Sequence, residues 1–296
     1  MMEATIFTIT KGNYKFGVIA LINSLRALGL TNKVIVGTAE DIKELENVPN
    51  VVQAKIDPEW NPTNLKCKLI IDNPSELFIF FDADIIITEK KFIEKVQELT
   101  SNGLFYAAVD GIVPQNDYRR IVWREINPGN SENIEHPWYY NAGFFAGNLK
   151  NHLSILERWH ELICTHIKPA EFTFQNKKFP MVDQDMYNAV LQNVKMNEIV
   201  SISAPDWIGI AAQVNPFFQI GNFRPSAFIH CTGEHKPWKI DGIPRQSPNE
   251  YDKLWYEYIF GENNLIKADV KFSRIQHMWF NHSIATRIIR KIKSRF

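Results

Sequence analysis

The sequence predicts an α/β domain built on a parallel sheet, on three observations. Residues 5–36 read as strand, helix and strand, a unit whose crossover makes its two strands parallel. The run Leu77-Phe78-Ile79-Phe80-Phe81 is apolar throughout, as a strand covered on both faces is. It leads directly into Asp82-Ala83-Asp84. An extended chain puts those two carboxylates on one face, at the strand end where open α/β sheets bind ligands.

Each element has its own signal. Thr5 to Thr10 alternates and is β-rich, and Lys11-Gly12-Asn13 turns the chain. Val18, Leu21, Ile22, Leu25 and Leu28 recur at helical spacing, and Gly29 closes that helix. Val34 to Val36 and Val51 to Ile56 read as the second and third strands. A helix from Leu65 to Ile71 ends before Pro74. After the strand before Asp82 come a helix from Lys91 to Leu99 and a strand from Leu104 to Val109. Residues 111–137 hold Pro114, Pro128 and Pro137, with Arg119, Arg120 and Arg124 around Trp123, and read as a long functional loop. Tyr139 to Gly147 is strand-like, and Leu149 to Ile167 and Gln184 to Val194 read as helices, with Asp185 a candidate cap of Met186 to Val194. Residues 203–225 are irregular and aromatic-rich, Ala227 to Cys231 a short strand and Glu250 to Phe260 a helix. A turn-rich break from Gly261 to Asn264 divides the chain into a main domain over 1–265 and a basic extension over 266–296.

Composition excludes several classes. With 296 residues, 45% hydrophobic and 22% charged, the chain buries a sizeable core. Its net charge of zero argues against nucleic acid as a partner. Cys67, Cys164 and Cys231 are scattered without a CxxC pair, which fits a reducing compartment rather than a disulfide framework or zinc cluster. No apolar run approaches the ~20 residues of a membrane span, and the first residues lack the basic-then-apolar order of a signal peptide. The expected location is the cytoplasm. The zero charge hides an asymmetry, because residues 267–296 hold eight Lys/Arg against Asp269 alone. There Ile284, Ile288, Ile289, Ile292 and Phe296 share a helical face ringed by Arg287, Arg290, Lys291, Lys293 and Arg295. That pattern places residues 283–296 on an anionic membrane surface, peripheral at its inner face. It also fits a terminal helix packing its isoleucine stripe on the domain.

Asp82 and Asp84 repel each other unless a cation lies between them, and a divalent metal carrying a diphosphate is the natural occupant. Three further segments complete the set: Tyr140-Asn141-Ala142-Gly143-Phe144, Val182-Asp183-Gln184-Asp185, and His230-Cys231-Thr232-Gly233-Glu234-His235-Lys236-Pro237-Trp238. In this order they resemble glycosyltransferase family 8, which includes glycogenin and bacterial lipooligosaccharide α-galactosyltransferases. The resemblance spans about residues 5–240. The H-x-x-G-x-x-K-P-W segment carries most of its specificity, whereas a DxD alone is common.

The resemblance implies a GT-A-like, Rossmann-type nucleotide-sugar-binding domain with a mixed, mostly parallel central sheet, followed by the basic helical extension. It implies that Asp82, Asp84 and His230 bind a metal that grips the diphosphate of a UDP-sugar. Two carboxylates and an imidazole suit Mn²⁺ better than Mg²⁺. It implies that Lys236 contacts the phosphates beside Gly233, that Lys66 contacts the donor (Lys68 competes for the role), and that Asp110 and Asn141 contact the donor sugar. Asn141 also fits a cap of the turn at Gly143, and His235 is expected to face solvent. Thr10 to Tyr14 match the nucleoside loop, with Tyr14 stacking on uracil, although Lys11 departs from the family pattern. Asp183 and Gln184 match the segment under the reacting carbon.

The implied reaction is metal-dependent, retaining transfer of glucose or galactose to a saccharide or lipid-linked glycan, as in lipopolysaccharide biosynthesis. Retention requires either double displacement through Asp183 or front-side attack. Front-side attack is the preferred reading, with Asp183 orienting hydroxyls and Gln184 stabilising the oxocarbenium-like carbon. Three alternatives stand beside it, of which a non-catalytic sugar-binding relic is disfavoured because the metal, phosphate and sugar positions all remain. An inverting transferase of the same fold would use Asp183 or Asp185 as general base. A haloacid-dehalogenase-type phosphatase would use Asp82 as nucleophile, but leaves the His230–Trp238 segment unexplained.

Overall fold

A computed structural model of the chain describes residues 3–129, 137–202, 227–239 and 248–280. The central sheet has seven strands in the order β3-β2-β1-β4-β7-β6-β8. They are β1 (Thr5–Thr10), β2 (Val34–Thr38), β3 (Val51–Lys55), β4 (Leu77–Phe81), β6 (Phe105–Ile112), β7 (Trp138–Asn148) and β8 (Ile199–Ile202). Strands β1 to β4 are parallel, β7 is antiparallel to β4 and β6, and β8 is parallel to β6. The sheet is therefore mixed and mostly parallel, as the sequence predicts.

The β4 run is apolar because both of its faces are covered. Leu77, Ile79 and Phe81 join a cluster with α1 (Lys15–Ala27) and α3 (Lys90–Ser101), while Phe78 and Phe80 join one with α2 (Lys66–Asp72), α5 (Leu149–His166) and α6 (Asp183–Leu191). Phe145 on β7 stacks on Phe80 and meets Trp159 of α5 edge-on. A ribbon of β5 (Ile85–Ile87) and β9 (Phe228–His230) is antiparallel and pairs Ile85 with His230. That register brings the imidazole, distant in sequence, to the end of β4.

Three sequence expectations are corrected. Residues 111–137 include a helix, α4 (Tyr118–Ile126), whose N-cap Asp117 accepts from the Arg119 N–H at 2.9 Å. Its arginines hide its amphipathic face, because Arg120 turns inward and donates to the Val113 carbonyl at 2.7 Å. Helix α6 begins at Asp183 and ends at Leu191, so Asp185 lies inside its first turn rather than capping it. Strands β5 and β8 and a helix over Arg274–Phe280 add to the predicted elements.

The C-terminal part of the described chain packs on the domain. Asn23 of α1 accepts from the Ile266 N–H and donates to its carbonyl, both at 3.0 Å. Trp279 and Phe280 are buried in the same cluster as Trp255 of the Glu250–Phe260 helix. The expectations for residues 203–225 and for 283–296 both lie wholly outside the described set. Among the described residues, no helix is long and apolar enough to cross a membrane.

Candidate active site

The site forms where β4 ends. The Asp82 N–H donates to the Gly143 carbonyl at 2.8 Å, tying the Asp82–Asp84 turn to β7. Helix α1 crosses under that turn at Gly17, where a Cβ would sit 2.2 Å from the Ala83 carbonyl oxygen and 2.8 Å from the Trp238 ring. Only a glycine permits that approach.

Asp82, Asp84 and His230 each contribute one ligand atom to a group within 4.8 Å. His230 Nε2 lies 3.2 Å from Asp84 Oδ1 and 3.9 Å from Asp82 Oδ2. The second oxygen of each carboxylate is held by a buried lysine, Asp82 Oδ1 by Lys66 at 2.9 Å and Asp84 Oδ2 by Lys236 at 2.8 Å. One oxygen of each acid is thus anchored and the other converges on the imidazole. Gly143 keeps the space beside this group open, since a Cβ there would lie 2.6 Å from His230 Cε1 and 2.8 Å from Asp82 Oδ2. Two carboxylate oxygens, one imidazole nitrogen and a space that glycine preserves fit a divalent cation such as Mn²⁺.

The lysines set the electrostatics. Burial opposes the Asp84 carboxylate, but His230 and Lys236 hold it well below the usual carboxylate range. Lys236 also donates to the Gly233 carbonyl at 2.8 Å and to the Cys231 carbonyl, and Gly233 adopts φ +85° to close that loop. Burial depresses both ammonium groups, yet Asp183 and Asp82 raise Lys66, and Asp84 raises Lys236, above the ordinary lysine value.

Lys66 Nζ also lies 3.1 Å from Asp183 Oδ2 and donates to the Ala142 carbonyl at 3.1 Å. Lys68 is exposed and pairs with Asp72, so Lys66 is the lysine that enters the site. Burial pushes the Asp183 carboxyl up to about 6, against the pull of Lys66 and with the repulsion of Asp82. Gln184 donates to Asp110 Oδ2 at 3.0 Å and accepts from the Ala142 N–H at 3.2 Å. Asn141 Oδ1 accepts from the Gly143 N–H at 2.7 Å, the capping role its sequence context allows. The structure thus gathers Asp82, Asp84, His230, Lys66, Lys236, Asp183, Gln184, Asp110 and Asn141 around one point.

The segment from Thr10 to Tyr14 lies at the end of β1. Thr10 ends β1 with a buried hydroxyl that lacks a hydrogen-bond partner among the described residues. The Tyr14 ring meets Trp238 edge-on at 5.4 Å and carries Lys239 Nζ 5.0 Å from its centroid. Lys11 Nζ donates to the Pro58 carbonyl. His235, expected in solvent, is partly exposed and pairs with buried Asp252 at 3.1 Å. Sequence reasoning missed Tyr139 and Trp159, which hold the Asp183 segment through Asp185 and the Asp183 carbonyl. Buried aromatics on a strand and a helix carry no signal that separates such a role from core packing.

Comparisons with known proteins agree with this architecture. The family model "Glycosyl transferase family 8" matches residues 68–242. No curated protein matches the chain by sequence. The apo structure of the bifunctional glycosyltransferase WbbM superimposes with a TM-score of 0.58 at 15% identity, over 89% of this chain and 50% of that one. The chain therefore spans about half the length of WbbM. The galactosyltransferase LgtC, in complex with donor and acceptor sugar analogues, gives 0.51 at 14% identity over 80% of this chain and 90% of LgtC. Apo GlyE of Streptococcus pneumoniae TIGR4 gives 0.52 at 13% identity over 95% of this chain and 64% of GlyE. At these identities the likeness is one of fold.

Proposed function

The chain belongs to glycosyl transferase family 8, and from that premise we propose that it transfers a hexose from a UDP-sugar to a saccharide or lipid-linked glycan, with retention at the anomeric carbon. The carrying observation is the convergence of Asp82 Oδ2, Asp84 Oδ1 and His230 Nε2, with a buried lysine on each remaining carboxylate oxygen. Family membership sets the phosphatase alternative aside. The description of LgtC as a galactosyltransferase favours galactose over glucose.

Charge balance supports a diphosphate ligand. Asp82, Asp84 and Asp183 face Lys66 and Lys236, which leaves one net negative charge. A dication would reverse that sign and make the site attractive to a diphosphate. A bound Mn²⁺ or Mg²⁺ held by Asp82, Asp84 and His230 would supply Lewis-acid stabilisation of the departing UDP.

The protein groups divide the remaining work. Lys236 places a positive charge where negative charge grows on the leaving group. In this reading Asp110 and Asn141 orient donor-sugar hydroxyls, and Thr10 and Tyr14 contact the nucleoside. Asp183 is a weak nucleophile while Lys66 holds its carboxylate, and the Gln184 amide oxygen is weakly basic and already accepts from Ala142. Both facts favour front-side attack over double displacement. In that step the bond from the anomeric carbon to the phosphate oxygen breaks. The acceptor oxygen bonds to the same face, and its proton passes to the leaving phosphate. Asp183 orients sugar hydroxyls, and the Gln184 carbonyl dipole stabilises the carbon as it gains positive charge.

The proposal extends to residues 283–296, which hold the enzyme to the inner face of an anionic membrane. Thermal-shift measurements with UDP-galactose and UDP-glucose, with and without Mn²⁺, test the donor, because binding raises stability by mass action. NMR of the product anomer tests retention. Absence of any Mn²⁺-dependent shift or sugar release with either donor would overturn the reading.

A further inference from the structure

We infer that Val182 is a positioning residue, and that the turn Met181–Gln184 is held in a strained conformation that fixes Asp183 and Gln184; this rests on the catalytic role proposed for those two residues. The Gln184 N–H donates to the Met181 carbonyl at 2.9 Å, closing a four-residue turn. Val182, its second residue, has φ +39° and ψ −106°. That is the quadrant of the first central residue of a type II′ turn, which favours glycine. A β-branched residue at positive φ is a genuine outlier, and such strain persists only where the surroundings over-determine it.

The surroundings do so on every side. The Val182 side chain is buried in the cluster that contains Phe179 and Trp159. Its N–H donates to the Phe179 carbonyl at 3.0 Å. Asp185 Oδ2 accepts from the Met181 N–H at 2.9 Å, and the Tyr139 hydroxyl donates to Asp185 Oδ1 at 3.3 Å. Trp159 Nε1 donates to the Asp183 carbonyl at 2.9 Å. Helix α4 backs this lock, because Trp123 stacks on Tyr139 at 5.8 Å and the Arg119 guanidinium lies 5.1 Å from the Tyr139 ring centre.

The next two residues are those that touch Lys66, Asp110 and Ala142. A relaxed Val182 would rotate both away from these partners. Glycine could adopt the turn without cost but would not adopt it exclusively. The stiff, buried valine holds a single conformation at the expense of backbone strain.

The comparison of Val182→Gly with Val182→Ala tests this, since both lose the packing and only alanine keeps the steric penalty. At an ordinary position alanine is the more stable of the two. Here the expected melting order is Gly above Ala. With UDP-galactose and Mn²⁺ the expected kcat order is wild type, then Gly, then Ala, with Ala about tenfold or more below Gly. The donor KM should stay within about twofold, because the proposed metal and phosphate groups lie off the turn. Ala equal to or above Gly in melting temperature would overturn the strained turn. Gly above Ala in stability with equal kcat would overturn the positioning role. If the wild type turns over no UDP-sugar, the donor reading falls, and the melting order alone decides the turn.

Discussion

Asp82 and Asp84 each divide their oxygens between a lysine and the centre they share with His230, and this gives single substitutions distinct signatures. Asp82→Ala and His230→Ala remove converging ligand atoms and are expected to abolish Mn²⁺-dependent UDP-sugar hydrolysis. Full activity in both would refute the site. Lys236→Met is expected to act differently. It leaves Asp84 Oδ2 buried without its cation, a loss that costs about 3 kcal/mol in comparable buried pairs. Mn²⁺ should return part of that stability, so the gap between the variant and the wild type in urea melts should narrow when the metal is added. Equal destabilisation in both conditions would mean that the metal does not reach Asp84. Asp183 has its own pH dependence. Its folded pKa of about 6 exceeds the ordinary 3.8, so the folded state binds its proton more tightly than the unfolded state does. The stability that this protonation contributes is full below pH 3.8 and is lost as pH rises to about 6. Asp84 works in the opposite sense, contributing above 3.8 and losing its contribution as pH falls through its depressed value. Asp183→Asn should therefore flatten the decline between pH 4 and 6 in urea melts run with EDTA. An unchanged slope would show that Asp183 does not titrate in that range.

At the scale of elements, the site depends on pieces too small to stand alone. The β5–β9 ribbon has three residues per strand, and such a pair is marginal in water. Phe228 anchors it among Phe81, Phe92 and Phe144. Phe228→Ala should cost about 3–5 kcal/mol and weaken Mn²⁺ binding as well, because the same strand carries His230. Unchanged Mn²⁺ affinity by calorimetry would detach the ribbon from the metal site. Helix α1 offers a converse case. Gly to Ala in a helix interior ordinarily stabilises by about 1 kcal/mol. Gly17→Ala should instead lower the melting temperature and the Mn²⁺ affinity, since its Cβ would meet the Ala83 carbonyl. The same distinction explains what sequence could reveal. Strand β4 was legible because burial on both faces leaves a continuous apolar run. Helix α4 was not, because Arg120 is buried through backbone carbonyls and reads as a surface cation. The convergence of Asp82, Asp84 and His230 was legible through residue type and order. The Val182 turn was not, because valine at positive φ contradicts every local preference and only long-range packing enforces it.

At the scale of the whole molecule, the described C-terminal residues belong to the same core as the site, and this decides how the membrane proposal must be tested. The composition break near residue 265 suggests a separable extension. Yet Ile266, Trp279 and Phe280 are buried against α1 and the Glu250–Phe260 helix, and Asn23 satisfies both backbone groups of Ile266. Removing residues 266–296 would strip three buried side chains, each worth roughly 1.5–3 kcal/mol. The result would be close to the whole stability of a typical domain. Lost membrane binding in that truncation would be indistinguishable from unfolding. Truncation after Phe280 keeps those contacts and removes all ten residues of the amphipathic pattern, from Ile284 to Phe296. This shorter protein should melt within a few degrees of the full chain and retain UDP-sugar hydrolysis. Its co-sedimentation with phosphatidylserine or phosphatidylglycerol vesicles should fall at least about tenfold, since each juxtamembrane cation contributes about 1 kcal/mol near an anionic surface. Vesicle binding equal to that of the full chain would place any membrane contact elsewhere on the protein and end the proposed role of the tail.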